Sequence, residues 1–513
     1  MNPINTYLGQ KGYTISKNEL TIEQQKKIRG DLTIKPYIPG APINGIAKTF
    51  PAYRESPNKL YVPHYYGVEN FGQPKEIKIS DGFDINLDFK GALRDNQEIV
   101  VKTYIDHVTK TSNLSSSCGG GGGGGDGGGS GGLLELACAF GKTVLSLNII
   151  SKLKKKTFII VHKEFLMNQW IERITEFLPN ARVGKIQGQI IDIDDKDIVI
   201  GMLQSLSMKE YPASIFASFG LTIIDEVHHI SSEVFSNSLF KLVTKYMLGL
   251  SATMNRKDGT TKVFKMFLGP VVFKGKNDKR DVTVRAIDYF VDDDEFNHVD
   301  IDFRGKPIYS KMISKLCAYN RRSEFILKVL TDMLNENPNQ QVMILAHNKC
   351  LLKYLYDSIV YRNIATVGYY VGGMKEIALK ETETKTVVIA TFSMASEALD
   401  IKTLTTLIMA TPKTDIEQSV GRILREKHSQ PIVVDIIDNQ DIFQNQWKKR
   451  KTFYIKENYK IIHTNNYNYN PDITSCSWNT IYETGEKCSK VVKKYTPESL
   501  GEVQSKCLIK MHK

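Results

Sequence analysis

Two adjacent carboxylates, Asp225 and Glu226, close the run LTII in the stretch LTIIDEVHHI, Leu221 to Ile230. The four residues before them are largely apolar and β-favouring, so they read as a strand buried on both faces of a parallel sheet. The acids then sit at its C-terminal end, where open α/β sheets place ligands. At that point one carboxylate can hold Mg²⁺ while the other orients a water for phosphoryl transfer. A plainer reading is a cap on the next helix. A phosphate loop upstream and basic residues downstream decide between the two, and the chain has both.

Upstream, LLELACAFGKTVLSLNII (Leu133 to Ile150) reads as strand, tight turn and apolar helix. Ala139, Phe140, Gly141, Lys142 and Thr143 would form a loop whose backbone amides receive phosphates at the helix N-terminus. Lys142 would bridge the outer phosphate oxygens, and Thr143 would ligate Mg²⁺. The strict pattern is incomplete, because Leu136 stands at the first glycine position. Downstream, QSVGRILR places Arg422 and Arg425 three apart, on one face of a helix predicted over DIEQSVGRILRE. Guanidinium forks match phosphate oxygens, and such transfer needs charge stabilisation from an opposing wall. Surface arginines are the plainer alternative for that pair.

What must hold these residues is legible in the text of the chain. At 513 residues it is too long for one core. Residues 1–90 read as an accessory region, strand-poor or all-β, with prolines and with Tyr61, Tyr65 and Tyr66 as core or base-stacking candidates. Residues 91–275 read as a first α/β domain, opening with a helix that places Ile99, Val100, Tyr104 and Ile105 near one face. Within it, 115–132 is a glycine-rich stretch with no Lys-Ser/Thr at the right place for a phosphate cradle, and we expect a flexible surface insertion. Residues 276–315 form a composition break, with TVRAIDYFV as an exposed hairpin or linker strand. A second α/β pattern fills 316–460, and 461–513 is a basic tail. Strands alternating with helices imply parallel sheets covered on both faces.

Composition narrows the partner. A formal charge of +12 favours a polyanion, nucleic acid above all, although solubility alone also explains it. No apolar run is long enough to span a bilayer, and the opening MNPINTYLGQKGY lacks a signal-peptide core, so no membrane role is expected. Seven scattered cysteines without a CxxC pair point to a reducing compartment, cytoplasmic or nuclear.

Taken in order, GKT, DEVH, SAT and QSVGRILR resemble the motifs of superfamily 2 helicases, over about 93–440. The closer resemblance is to the XPB-like branch, and more loosely to transcript-release-type helicases of large DNA viruses. That resemblance implies two tandem RecA-like parallel-sheet domains with ATP and Mg²⁺ as cofactors. It implies Asp225 on the metal and Glu226 on the attacking water, with Arg422, Arg425 and Gln418 completing catalysis. It further implies Gln97 on adenine, Asp400 on the ribose, and His228, Ser251 and Thr253 coupling the two activities. Lys163, Gln204, Ser205, Thr391 and Arg256 would meet nucleic acid. For Trp170, on the helix that follows Lys163, burial on the apolar face is the plainer reading. The function implied is an ATP-dependent helicase or translocase on DNA, with RNA or an RNA–DNA hybrid left open, serving the transcription machinery. If viral, it would work in the virion or viral factory. Two rivals stand beside it: a catalytically degenerate nucleic-acid-binding subunit, supported by Leu136 and Ala139, and the motor of a repair or restriction system.

Other signals are weaker. Cys476, Cys488, Cys507 and His463 fit no zinc spacing. KLKKK (Lys152 to Lys156) and WKKRK (Trp447 to Lys451) read as solvated basic faces before nucleic-acid patches.

Overall fold

Short β-branched runs alternating with amphipathic helices build two eight-stranded sheets, and a five-stranded sheet precedes them. The computed structural model describes residues 5–37, 49–113, 130–137, 140–229, 232–254, 256, 258–275, 281–397, 399, 401–424 and 430–485. The chain divides into two units. One comprises Met1–Asp278, Gly368–Leu404 and Glu417–Lys427, and the other comprises Lys279–Val367, Thr405–Ile416 and His428–Lys513.

The N-terminal region is neither strand-poor nor all-β. Strands β1 (Thr6–Gly9), β2 (Gly12–Ser16), β3 (Thr33–Ile34), β4 (Phe50–Pro51), β5 (Arg54–Glu55), β6 (Lys59–Val62) and β7 (Glu76–Ile77) alternate with helices Ile22–Asp31 and His64–Phe71. The first helix is fixed by a capping box in which Thr21 and Gln24 exchange hydrogen bonds. The sheet runs β5-β6-β2-β1-β7, and β3 pairs with β4. Of the three tyrosines, Tyr66 is core, while the Tyr65 hydroxyl exchanges hydrogen bonds with the Gly131 backbone.

The next sheet contains β8 (Ser130–Leu136), β9 (Thr157–Val161), β10 (Val183–Gln187), β11 (Ile190–Ile191), β12 (Ile198–Met202), β13 (Leu221–Ile224), β14 (Tyr246–Ser251) and β15 (Val271–Gly275). Its order is β11-β10-β12-β9-β13-β14-β8-β15. Every pair is parallel except β10 with β11. Alternate side chains of β9 enter different cores. Phe158 and Ile160 join Tyr13 and Leu60 of the accessory region, whereas Ile159 and Val161 join Val100, Tyr104 and Leu147. Each fully buried aliphatic side chain contributes about 1.5–3 kcal/mol, which is why both faces are covered.

Two expectations change here. The glycine-rich stretch does not stay outside the fold to residue 132, because Ser130, Gly131 and Gly132 begin β8 and pair with β14. A Cβ on Gly131 would come 2.6 Å from the Leu268 carbonyl oxygen, so glycine there answers a packing demand. The rest of the insertion lies outside the described residues. In the helix Asp95–Asn113, Val100 and Tyr104 are buried as expected, but Ile99 is 56% exposed.

The second large sheet holds β16 (Thr283–Tyr289), β17 (Gln341–Ala346), β18 (Val367–Tyr370), β19 (Val387–Thr391), β20 (Leu404–Met409), β21 (Ile432–Asp438), β22 (Lys460–Asn465) and β23 (Asn479–Tyr482). Its order is β18-β19-β17-β20-β21-β16-β22-β23. The stretch taken as a hairpin or linker is therefore β16, an interior strand parallel to both β21 and β22. Its alternation misleads because its charges are satisfied in place. Arg285 makes a two-pronged ion pair with Glu336, and Asp288 lies 2.8 Å from His463.

Two further arginines are fully buried. Arg322, in the helix Asn320–Glu336, binds Asp438 at 2.6 Å and also donates to the Ala410 carbonyl. Arg450, in the helix Asp441–Lys456, binds Asp435 at 2.7 Å and donates to the Lys413 carbonyl. The basic runs read as solvated faces thus each send a member inward: Arg450 does so here, and Lys156 donates to the Ile193 carbonyl.

Candidate active site

The site is assembled at the C-terminal ends of β8, β9, β13 and β14. After β8, Gly141 takes φ 90° and the helix Lys142–Leu153 begins. The φ is one that L side chains rarely adopt, and a Cβ would come 2.3 Å from Gln97 Nε2, so Gln97 would have to move. Gln97 Nε2 donates to the Phe140 carbonyl at 2.8 Å, and Arg94 donates to the same oxygen. Gln97 Oε1 accepts from the Arg94 backbone N–H. The Gln97 amide thus ties the Phe140 carbonyl of the loop to the Arg94 backbone. Arg94 is part of the loop's support that the sequence reading left out.

Lys142, the first residue of that helix, reaches Glu226 with its Nζ 2.7 Å from Oε1. Glu226 adopts φ 48°, a left-handed conformation that costs a non-glycine residue roughly 1–3 kcal/mol and recurs at functional sites. Asp225, just before it, is buried. Its Oδ2 accepts from Trp170 Nε1 at 2.9 Å, and its Oδ1 accepts from the Glu226 backbone N–H at 2.9 Å. Burial and the neighbouring Glu226 push the Asp225 carboxyl up, while Lys142 and the indole hydrogen bond act against them. Trp170 is as buried as the apolar-face reading expects. The sequence reading missed its polar edge, whose only signal was an indole on the helix after β9.

A second chain of contacts leaves Glu226. His228 Nδ1 lies 3.3 Å from Glu226 Oε2 and 2.7 Å from Ser251 Oγ. Ser251 Oγ donates to the Thr253 carbonyl and accepts from the Thr253 N–H at 3.2 Å. Arg256 donates to the His228 carbonyl at 2.6 Å and grips Asp258 with two more N–H groups. Gln418 Nε2 stands 3.3 Å from His228 Nε2, both within the first unit.

Arg422 donates to the carbonyls of Ala395 and Leu399. The helix predicted over DIEQSVGRILRE is shorter than expected: Glu417–Gly421 is α-helical and Arg422–Leu424 tightens into a 3₁₀ turn. Ala139, Asp400 and Arg425 lie outside the described residues, and Thr143 follows Lys142 in the helix.

The residues expected to meet nucleic acid also sit at strand exits. Lys163 precedes the helix Glu164–Phe177 after β9. Gln204 donates to the His162 carbonyl, and Ser205 Oγ accepts from the Gly188 N–H, so these two and Lys163 share one rim. Thr391 ends β19 with its hydroxyl 3.2 Å from Ser393 Oγ. Among the described residues no group of three or more His, Cys, Asp or Glu side chains is placed to hold a metal, and His463 is engaged with Asp288.

The profile of the type III restriction enzyme res subunit family matches residues 90–256. A protein of Acanthamoeba polyphaga mimivirus named as an ATP-dependent RNA helicase, L396, is 35% identical over 480 residues, covering 90% of this chain and 87% of that one. Helicase 161L of Invertebrate iridescent virus 6 is 26% identical, covering 87% and 99%. An African swine fever virus protein named as an ATP-dependent RNA helicase, QP509L, is 28% identical and covers 64% and 68%. Among solved structures, S. cerevisiae Dbp5 bound to RNA and ADP BeF3 aligns with TM-score 0.47 at 10% identity, covering 66% and 86%. T4 UvsW aligns with TM-score 0.32 at 17% identity, covering 87% and 96%. The protein is an ATP-hydrolysing enzyme of the α/β helicase type with a nucleic-acid substrate. More particularly, it belongs to the superfamily 2 helicases, in the viral family that includes the mimivirus relative.

Proposed function

We propose that ATP hydrolysis at Lys142, Asp225 and Glu226 drives this protein along nucleic acid, with duplex DNA as its track and transcription as its setting. The observation that carries the reading is Lys142 drawn onto Glu226 beside a buried Asp225. An ammonium there stands at the N-terminus of a helix, where phosphate oxygens are received. The donor set suits Mg²⁺: two carboxylates and the Thr143 hydroxyl are hard oxygen ligands, and the mutual repulsion of the carboxylates is relieved by a cation. When bound, Mg²⁺ would neutralise phosphate charge. Lys142 would leave Glu226 for the phosphates, freeing that carboxylate to orient the attacking water. Trp170 would hold Asp225 in place. The path Glu226–His228–Ser251–Thr253 would report the state of the site to the strand exits carrying Lys163, Gln204 and Ser205. Arg422, beside the helix Phe392–Glu397, would supply positive charge near the phosphates, and Gln418, beside His228, a neutral hydrogen-bond donor.

DNA rests on the XPB-like motif order, whereas the mimivirus and African swine fever virus relatives are named for RNA, which favours RNA as the second reading. The scattered cysteines suit a reducing compartment, cytoplasmic or nuclear, and a viral protein of this kind would work in the virion or viral factory. Glu226→Gln is expected to abolish phosphate release while retaining ATP binding; full turnover in that variant would refute the assignment. Strand displacement on DNA, RNA and hybrid duplexes with 3′ or 5′ tails separates the substrates. Displacement of RNA duplexes alone would overturn DNA as the track.

A further inference from the structure

Within the second unit, β16 ends at Tyr289 and continues into Phe290, while β22 ends at Asn465 and continues into Asn466 and Tyr467. The crevice between these exits and the helix Asn320–Glu336 has a volume of about 460 Å³, within the range of small-ligand sites. It opens at the C-terminal ends of parallel strands, where such sheets take ligands.

The crevice is a built one. Asn466 closes its back by accepting from the Phe290 N–H at 2.7 Å and donating to the Phe290 carbonyl at 3.0 Å. Tyr289 and Phe325 line it with ring centres 5.7 Å apart, and Tyr469 backs Phe325 at 5.6 Å. Arg321, Phe325 and Lys328 fall on one stripe of the helix, at i, i+4 and i+7. Arg321 and Lys328 are both exposed; Lys328 Nζ lies 5.5 Å from the Tyr469 ring centre, and Arg321 lies beside Tyr319 and Asp293. Glu324 is already spent on Arg362 and the Tyr354 hydroxyl, which leaves Asp292 as the rim's uncommitted acid. Tyr467 stands at the mouth with 68% of its surface exposed.

Flat rings beside two exposed cations match the two halves of a nucleotide, an aromatic base and a phosphate. We propose that this crevice holds one nucleotide of a nucleic-acid strand, its base against Tyr467 and Phe290 and its phosphate between Arg321 and Lys328. It rests on nucleic acid being the substrate, and it adds a contact that none of Lys163, Gln204, Ser205, Thr391 or Arg256 provides. A peptide carrying an aromatic side chain would use the same rings. The two cations, and the charge of +12 on the whole chain, favour the strand.

The test uses the full chain and a single-stranded oligonucleotide bearing 5-iodouracil. Photocrosslinking is expected to yield a peptide modified at Tyr467. In anisotropy titrations, Tyr467→Ala is expected to weaken binding by about 5-fold or more, the lower end of one lost stacking partner. Arg321→Glu with Lys328→Glu is expected to weaken it at least about tenfold and to lower the slope of log affinity against log salt by about one to two. ATP turnover without nucleic acid should be unchanged, since no residue altered belongs to the catalytic site. Wild-type affinity and salt slope in both variants would overturn the crevice while leaving the helicase reading intact. Failure of the wild-type protein to bind any strand would instead sink that reading. Displacement of the crosslinked strand by micromolar adenosine monophosphate would assign the crevice to a free nucleotide and overturn the strand.

Discussion

Replacing Trp170 with phenylalanine removes one hydrogen-bond donor and leaves a ring in the same apolar pocket. Asp225 has two donors in the structure, Trp170 Nε1 and the Glu226 N–H, each at 2.9 Å. The variant leaves it with one, on the oxygen facing away from the indole. A hydrogen bond to a charged group is worth about 1.5–3 kcal/mol. If that energy fixes Asp225 in the geometry used during transfer, kcat/KM falls by roughly 10- to 150-fold. Phosphate release measured against Mg²⁺ concentration should show both the lower rate and a higher Mg²⁺ requirement, while nucleotide binding through Lys142 stays within about twofold. The packing loss needs its own control. Ile174→Val, fully buried one turn along the same helix, should cost about 0.5–1.5 kcal/mol of stability without slowing turnover. Turnover and Mg²⁺ requirement equal to wild type in Trp170→Phe would show that the indole only fills space, and the reasoning would fail.

Other outcomes follow from the same coordinates. Gly131→Ala pushes a methyl against the Leu268 carbonyl, and it should lower the melting temperature by an overpacking cost of about 1–3 kcal/mol. Arg450→Met alone strands Asp435 inside the protein and should destabilise by about 3–5 kcal/mol in denaturant titration, whereas pairing it with Asp435→Leu should recover most of that loss. The Arg256 guanidinium holds the Asp258 carboxyl down at about 2. A folded value below the unfolded one gives stability that is full above the ordinary carboxylate range and is lost as pH falls toward 2. The stability gap between wild type and Asp258→Asn should therefore shrink as pH drops from about 4 to 2. A gap that stays constant over that window would contradict the ion pair.

The sequence and the structure agree best where one period dominates. LTII, TFII and IVIGM are continuous apolar runs, and each became a parallel strand. Lys142 and Glu226 are 84 positions apart, yet strand-end logic placed both acids and the loop on one sheet edge. Polar residues that serve packing were harder to read. TVRAIDY looked amphipathic because Arg285 and Asp288 carry charge, and nothing local reveals that Glu336 and His463 will neutralise them. Trp170 was read from its apolar bulk, although its N–H is what touches the site. Gly131 and Gly132 were read as freedom because they end a glycine tract. In the sheet their missing side chains let Leu268 and Val272 come close.

Asp435 and Asp438 are three positions apart on β21, so they face opposite sides of the sheet, and each is claimed by an arginine from a different helix. One strand thus rivets both of its coverings. Neither layer can peel away without exposing an ion in the middle of the protein, so local fraying there should be suppressed and opening should be all-or-none. The same rivets bear on descent. Any lineage that discards one of these charges must lose its mate almost at once, so positions 322 with 438, and 435 with 450, should change as couples.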